Sequence, residues 1–322
     1  MLTSVRQQLI ENKAVFISCV VPIFNEEESI PLFFQALHAE LTQRCQRFEI
    51  IAIDDGSRDK SLAVLKEIAL RYSIKVISFS RNFGKEVALT AGLNHAIGDV
   101  VVILDADFQH PIELISIFLN YWGKGYDMVY GVRNDRKGES RIKRLFANVF
   151  YGLMTKISNI TLPRNAGDFR LLDRKVVTAL NTTQERARFM KGLYAWVGFK
   201  TIEVPFDVAE RAAGKSSWHF RKLAELAVTG IISFTELPLR VWSFIGACIS
   251  LISFIYAIYI MIDTLVTGIS VPGYATIIVA IMFFGGIQLL SIGILGEYVA
   301  RIFNEVKQRP QYIIAEKQGF DE

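Results

Sequence analysis

Val100 to Leu104 is an unbroken apolar run, four of its five residues β-branched, and it stops abruptly at Asp105. So short and β-branched a run reads as a buried strand of a parallel sheet. The same pattern recurs along the first part of the chain. Val15 to Pro22, Phe48 to Ile53, Ile74 to Phe79 and Asp127 to Val132 read as further strands. Between them Ser29–Leu41, Asp59–Arg71, the segment from Lys85 to about Ala96, and Pro111–Trp122 carry helical periodicity, Pro111 starting its helix. Strands alternating with helices predict an α/β fold with a parallel sheet covered on both faces. In such sheets ligands bind outside the carboxyl ends of the strands. Each of these ends carries polar or charged residues, and this repetition says more than any one motif.

Asp105 and Asp107 follow their strand two residues apart, with Gln109 beyond. Two carboxylates and an amide oxygen form a hard, all-oxygen set suited to Mg²⁺ or Mn²⁺ shared with a substrate diphosphate; the alternative is an acidic loop that caps the next helix. Asp55, in Asp54-Asp55-Gly56-Ser57, is placed to bond a nucleobase or ribose, or is simply a turn residue. Arg81 and Lys85 flank a glycine and face diphosphate charge or solvent. Asp168, between Gly167 and Phe169, is a general base, a sugar-hydroxyl acceptor, a helix cap or a partner of Arg170. Neither a Gly-x-Gly-x-x-Gly nor a Walker-type loop occurs, so dinucleotide and NTPase readings have no support.

Beyond Arg133 the character changes. Apolar residues from Ile142 to Ile157 recur at helical spacing beside Arg141, Lys143, Arg144 and Lys156. This basic amphipathic helix belongs at a membrane interface or faces a protein core. Thr201–Val208 reads as another strand, and Glu210–Trp218 as a basic glycine-containing loop that closes over a diphosphate. Half of the chain, 51%, is hydrophobic, and the excess lies towards the C-terminus. Val241–Ile262 and Thr264–Gly296 contain no charged residue, the second with an apolar centre at Ala275–Leu295, and each is long enough to cross a bilayer. Their connector Gly268–Gly273 has no Lys or Arg, whereas Lys215, Arg221, Lys222 and Arg240 precede the first span and Arg301, Lys307 and Arg309 follow the second. The positive-inside rule puts the N-terminal part and the tail in the cytoplasm. The N-terminus lacks the apolar stretch of a signal peptide. Cys19, Cys45 and Cys248 have no metal-type spacing, which argues against a disulfide framework and a structural zinc site. Gly285, Gly286, Gly293 and Gly296 allow close helix packing within or between subunits, the latter giving a homo-oligomer.

Taken together, Val20-Val-Pro-Ile-Phe-Asn-Glu-Glu-Glu28, Asp54-Asp-Gly-Ser57, Ser80-Arg-Asn-Phe-Gly-Lys-Glu86, Asp105-Ala-Asp-Phe-Gln109, Gly167-Asp-Phe-Arg-Leu171, Arg188-Phe-Met-Lys-Gly192 and Leu295-Gly-Glu-Tyr298 resemble the polyprenyl-phosphate glycosyltransferases of family 2. The likeness is to the bactoprenol (undecaprenyl-phosphate) glucosyl transferases; dolichyl-phosphate mannose synthases and undecaprenyl-phosphate aminoarabinose transferases are more distant. The motifs span nearly the whole chain in family order.

The resemblance implies a GT-A (Rossmann-like) catalytic domain with interfacial helices over residues 1–236, two transmembrane helices within 237–303 (about 239–264 and 274–300) and a cytoplasmic tail at 304–322. It implies an inverting, metal-dependent hexosyltransferase of the inner membrane that moves glucose from UDP-glucose to polyprenyl phosphate for cell-envelope glycan modification. A mannose synthase using GDP-mannose and a processive polysaccharide synthase are the alternatives; the latter needs a Gln-x-x-Arg-Trp motif and usually more spans, and a non-catalytic scaffold is a third. No nucleic-acid partner is implied. Carried over by position, Pro22, Phe24, Glu26 and Asp55 hold the nucleoside, and Asp105, Asp107 and Gln109 the metal and donor diphosphate. Arg81, Lys85, Arg211 and Lys215 complete the donor site. Arg133, Arg141 and Arg211 gather phosphates, Arg133 and Arg141 on the acceptor side. Asp168 is the base, with Glu185 second, and Asp107 is counted with the catalytic residues. The family usually has Lys where this chain has Ser217, so Lys215, two residues earlier, either replaces that contact or leaves it weakened.

Overall fold

The computed structural model describes residues 2–133, 166–183, 185–186, 188–207, 237–267 and 273–320. The chain forms two compact units, residues 1–225 with 310–322, and residues 226–309.

The first unit is built on one eight-stranded sheet. Its strands are β1 (Phe16–Ile23), β2 (Arg47–Asp54), β3 (Lys75–Phe79), β4 (Val100–Ile103), β5 (Met128–Arg133), β6 (Ala166–Asp173), β7 (Thr201–Phe206) and β8 (Ile314–Gln318), in the order β7-β5-β6-β4-β1-β2-β3-β8. Strands β4, β1, β2 and β3 are mutually parallel, Ile17 pairing with Phe48 and with Val100. Every residue of β4 is buried, as expected of a strand covered on both faces.

The sheet is mixed rather than wholly parallel. β6 runs antiparallel between β4 and β5, and β8 antiparallel on the outer edge of β3. Neither strand has the apolar run that marks the others. Asp168 and Arg170 interrupt β6, and β8 reads Ile-Ala-Glu-Lys-Gln, the charged face of a strand that closes a sheet edge.

Helices α1 (Leu2–Glu11), α2 (Ile30–Arg44), α3 (Ser61–Tyr72), α4 (Lys85–His95), α5 (Leu114–Gly123), α6 (Arg174–Thr182) and α7 (Met190–Trp196) belong to this unit. Helix α5 starts three residues after Pro111, because Leu114 and Ile115 first close single turns onto the Pro111 and Ile112 carbonyls. Helix α1, which no sequence pattern announced, is tied down by Arg6, whose Nη2 lies 3.0 Å from Asp127 Oδ1 and 2.6 Å from Asp173 Oδ2. Helix α4 lies tight against the sheet: a Cβ on Gly92 would stand 2.2 Å from Val20 Cγ1, so a side chain there would lift the helix. Its N-terminus is thereby held at the carboxyl ends of β1 and β2.

The second unit contains α8 (Leu237–Thr267) and α9 (Tyr274–Val306). Their 31 and 33 residues span about 45–50 Å at 1.5 Å each, more than a bilayer core of about 30 Å. Phe244, Ile252 and Tyr259 on α8, and Phe283, Leu289 and Ile292 on α9, are exposed. Within α9, Phe283–Val306 is long and apolar enough to cross a membrane; it is the one such segment among the described residues.

Candidate active site

Because β1 to β4 are parallel, four loops meet at one edge of the sheet. Asp55 wires three of them together. Its backbone N–H donates to the Ile23 carbonyl (2.9 Å). Its carboxylate accepts from Asn82 Nδ2 (2.9 Å), Phe83 N (2.7 Å) and Gly84 N (2.9 Å). Gly56 permits the close approach: its φ is +64°, and a Cβ there would lie 2.4 Å from the Arg81 carbonyl carbon. Burial raises the Asp55 carboxyl above its usual range, against those backbone hydrogen bonds. Asp55 thus organises the Arg81–Gly84 loop. Phe24 is exposed beside it, Pro22 lies within β1, and the Arg81 guanidinium stacks 4.0 Å from the Phe83 ring. The Glu26 carbonyl and carboxylate both accept from Ser29 Oγ, at 3.2 Å.

The second centre joins β4, α4 and β6. Ile103 pairs with Arg170 across the antiparallel ladder, and that register, carried two residues on, sets Asp105 level with Asp168. Lys85, the first residue of α4, reaches between them. Its Nζ lies 2.7 Å from Asp105 Oδ1, 2.9 Å from Asp105 Oδ2 and 2.7 Å from Asp168 Oδ2. Burial opposes the ammonium charge, but the two carboxylates outweigh it and hold Lys85 well above the usual lysine range. Burial likewise works against the Asp168 carboxylate, and Lys85 and Lys191 overcome it, leaving Asp168 well below the usual range. Glu86 goes the other way. Burial, then Asp168, push it up to about 7, although it accepts from Met190 N at 2.8 Å.

The loop after β4 folds back sharply. Phe108 has φ +58°, rare for an aromatic residue, and packs its ring edge-on to Phe33 at 5.5 Å. The turn returns Gln109, whose N–H donates to Asp107 Oδ1 (3.1 Å) and whose Oε1 accepts from Arg133 Nη2 (3.0 Å). The Gln109 oxygen is therefore engaged by Arg133. His110 is buried, stacked 5.0 Å from Phe169, and its unpartnered Nδ1 is 4.0 Å from Asp105 Oδ2. Burial lowers the pKa of that imidazole, against the pull of Asp105 and Asp107.

Among the described residues no three His, Cys, Asp or Glu side chains form a metal cage. The Asp105 and Asp107 carboxylates suit an ion that takes one or two protein carboxylates and fills its shell from substrate phosphates and water, the way Mg²⁺ is usually held. The chemistry of this donor set, with the orphaned His110 nitrogen facing it, fits such an ion.

The structure brings together Asp55 and Arg81, and separately Lys85, Asp105 and Asp168, with Asp107 and Gln109 on the adjoining loop and Arg133 reaching Gln109 from the end of β5. Glu185 is exposed on the segment before α7. Arg141, Arg211, Lys215, Ser217 and the amphipathic helix at 141–157 lie outside the described residues. Sequence reasoning missed Glu86, His110, Arg170, Lys191 and Tyr194 as site residues. Glu86, Arg170 and Lys191 lie inside the quoted motifs without having been given a role, and His110 follows Gln109.

Residues 18–180 match the model of glycosyl transferase family 2, and residues 237–302 match the GtrB C-terminal hairpin. The chain belongs to glycosyl transferase family 2. It is 48% identical to the bactoprenol glucosyl transferase of Shigella phage SfII, over 92% of this chain and 97% of that one. It is 45% identical to an uncharacterised glycosyltransferase of Synechocystis (95% and 96%), and 45% to a prophage bactoprenol glucosyl transferase homologue of Escherichia coli (92% and 98%).

Proposed function

We propose that the protein is a membrane glycosyltransferase that moves glucose from UDP-glucose to a polyprenyl phosphate, with inversion. The carrying observation is the Lys85 bridge between Asp105 and Asp168, set beside the Asp55-ordered loop: a nucleoside shelf and a charged reaction centre on one sheet edge. The similarity to bactoprenol glucosyl transferases over nearly the whole chain supports the lipid acceptor and the glucose.

In this reading Phe24, Asp55 and Arg81 border the nucleoside. Asp105 and Asp107 would hold Mg²⁺ or Mn²⁺, which supplies neutralisation of charge on the departing diphosphate. The acceptor phosphate oxygen attacks the anomeric carbon from the face opposite the diphosphate. The new carbon–oxygen bond forms as the bond to the nucleoside diphosphate breaks, and UDP leaves with that electron pair. A phosphate monoester is already ionised near neutral pH, with a second pKa of about 6, so no strong base is required. This agrees with Asp168, whose low pKa makes it a weak base: it orients the reactants, and Lys85 holds it level with Asp105.

The sheet supports a topology with both flanks of the membrane segment on one side, and the basic residues beside the spans favour the cytoplasm as that side. The chain leaves the catalytic unit after β7 and returns to it as β8, hydrogen-bonded to β3. Any membrane crossings between those strands must be even in number, and α8 and α9 supply two helices of sufficient length. The protein is therefore read as a two-span protein of the cytoplasmic membrane.

The test incubates membranes containing the protein with labelled UDP-glucose and undecaprenyl phosphate, beside GDP-mannose and other donors. A single sugar on lipid, with β configuration by NMR, is expected. Polymer, a preference for GDP-mannose, or no lipid-bound label would overturn the reading.

A further inference from the structure

Three consecutive residues ahead of β8 each touch a different part of the catalytic unit. Gln311 Nε2 donates to the Glu185 carbonyl at 2.7 Å, on the segment before α7. The Tyr312 ring stacks on Phe79, with centroids 5.0 Å apart and planes inclined by 17°. The Tyr312 hydroxyl accepts from Asn94 Nδ2 of α4 at 3.4 Å. The Ile313 carbonyl accepts from Ser80 N at 3.0 Å. Closing the sheet edge does not require these contacts. The ladder from Val76–Gln318 to Phe79–Ile314 already covers the outer side of β3.

The contacts lead instead to the donor loop. Phe79 is the last residue of β3 and is buried. Its ring meets Phe83 edge-on at 5.7 Å. Phe83 in turn stacks the Arg81 guanidinium at 4.0 Å and gives its N–H to Asp55 at 2.7 Å. The Ser80 hydrogen bond carries the pairing one residue past β3 into the same loop. From Ser80 to Gly84 the chain has no helix or strand of its own, and Ser80, Arg81 and Asn82 are exposed. Such a loop needs outside support. Asp55 is one support, and the run of rings from Tyr312 through Phe79 to Phe83 is the other. Gln311 and Ile313 fasten the chain on either side of Tyr312, which fixes the ring against Phe79. A loop left with one support must be ordered by its ligand, and that ordering is lost from the affinity.

We infer that Tyr312 and Gln311 are positioning residues for the donor nucleotide: they hold the Ser80–Gly84 loop in the shape that Asp55 and Arg81 use. This rests on the donor site proposed above. It gives the chain beyond the second span a part in donor binding, where the sequence gave it only a place in the cytoplasm.

The experiment uses full-length protein in detergent with Mg²⁺, and measures UDP affinity by calorimetry beside the steady-state constants. Tyr312→Ala should raise Kd for UDP and KM for UDP-glucose roughly threefold or more, the loss of one aromatic pair. KM for polyprenyl phosphate and kcat should stay within about twofold. Tyr312→Phe, which keeps the ring and drops only the Asn94 bond, should restore both donor constants. Gln311→Ala should shift the same two constants in the same direction, by less. Unchanged UDP affinity in Tyr312→Ala would overturn the inference. So would equal rises in both KM values, a fall in kcat alone, or failure of Tyr312→Phe to restore binding. A wild type that binds UDP but puts no glucose on polyprenyl phosphate would overturn the transfer reading, and the UDP affinities would still decide this inference. Should Tyr312→Ala misfold, Gln311→Ala decides alone, since it removes one exposed hydrogen bond and no ring.

Discussion

Glu86 offers a test of the buried charge array that does not depend on turnover. Its carboxyl is raised from 4.5 to about 7, chiefly by burial and then by the Asp168 charge, while the Met190 N–H, Lys85 and Lys191 act in the opposite direction. The sign follows from comparing folded and unfolded chains. Below pH 4.5 the group is protonated in both, and its ionisation costs nothing. As pH rises from 4.5 through about 7 the unfolded chain ionises first, so the folded state loses stability relative to it. Above that interval the full cost is present, on the order of 3 kcal/mol for a displacement of this size. Glu86→Gln keeps an oxygen for the Met190 N–H and removes the titration. Urea unfolding of wild type and variant in the same detergent, between pH 4 and 9, should give similar midpoints at the acid end. The variant should become the more stable of the two as pH rises, reaching a plateau near pH 8. At about 2–4 °C per kcal/mol for a unit of this size, the corresponding thermal midpoints should separate by several degrees. A constant difference across the range, or a variant that loses ground as pH rises, would refute the reasoning.

Three further perturbations probe the other parts of the site. Asp107→Ala should abolish transfer with an unchanged unfolding midpoint; substantial turnover, insensitive to chelator, would remove the metal from the mechanism. Asp55→Asn replaces a charged acceptor of three hydrogen bonds, each worth about 1.5–3 kcal/mol. It should raise KM for the donor at least tenfold with little change in kcat, and an unaltered donor KM would show that Asp55 does not order the Arg81–Gly84 loop. Tyr312→Ala deletes a ring stacked 5.0 Å from Phe79, an aromatic pair worth about 0.5–1.5 kcal/mol, and should speed hydrogen exchange at Ser80, whose N–H donates to the Ile313 carbonyl. Unchanged exchange there would mean that the tail does not secure the end of β3.

What the sequence disclosed follows from how each element is stabilised. β1 to β4 lie between helices, so both faces are apolar, and the run Val100–Leu104 announces itself before any partner is known. β6 lies as deep, yet it carries Asp168 and Arg170, each balanced by groups from α4 and α7. Such a strand looks polar until its distant partners are placed. Asp55 and Asp105 were legible because each closely follows the end of an apolar strand, and Asp168 because it stands between Gly167 and Phe169. Their partners were not. Asp55 meets Phe83 and Gly84 from 28 and 29 residues away, and Met190 meets Glu86 across 104, separations that leave no periodic trace in the chain.

The same long-range pairing explains why Asp168 should orient rather than abstract a proton. A general base works best with a pKa near the operating pH. Lys85 and Lys191 move Asp168 far from that range, and burial with the Asp168 charge moves Glu86 towards it. Were the nucleophile a sugar hydroxyl, with a proton to lose during attack, this division would put the base on the wrong residue. A phosphate oxygen brings no such demand; it needs cations to gather it and a fixed carboxylate to keep the sugar in line. A lowered Asp168 is consistent with a phosphate acceptor, which needs no general base. Asp168→Asn distinguishes the two: it should slow a phosphate acceptor by loss of alignment with a flat pH profile, whereas an acceptor that required deprotonation would lose the acid limb of its profile together with its rate.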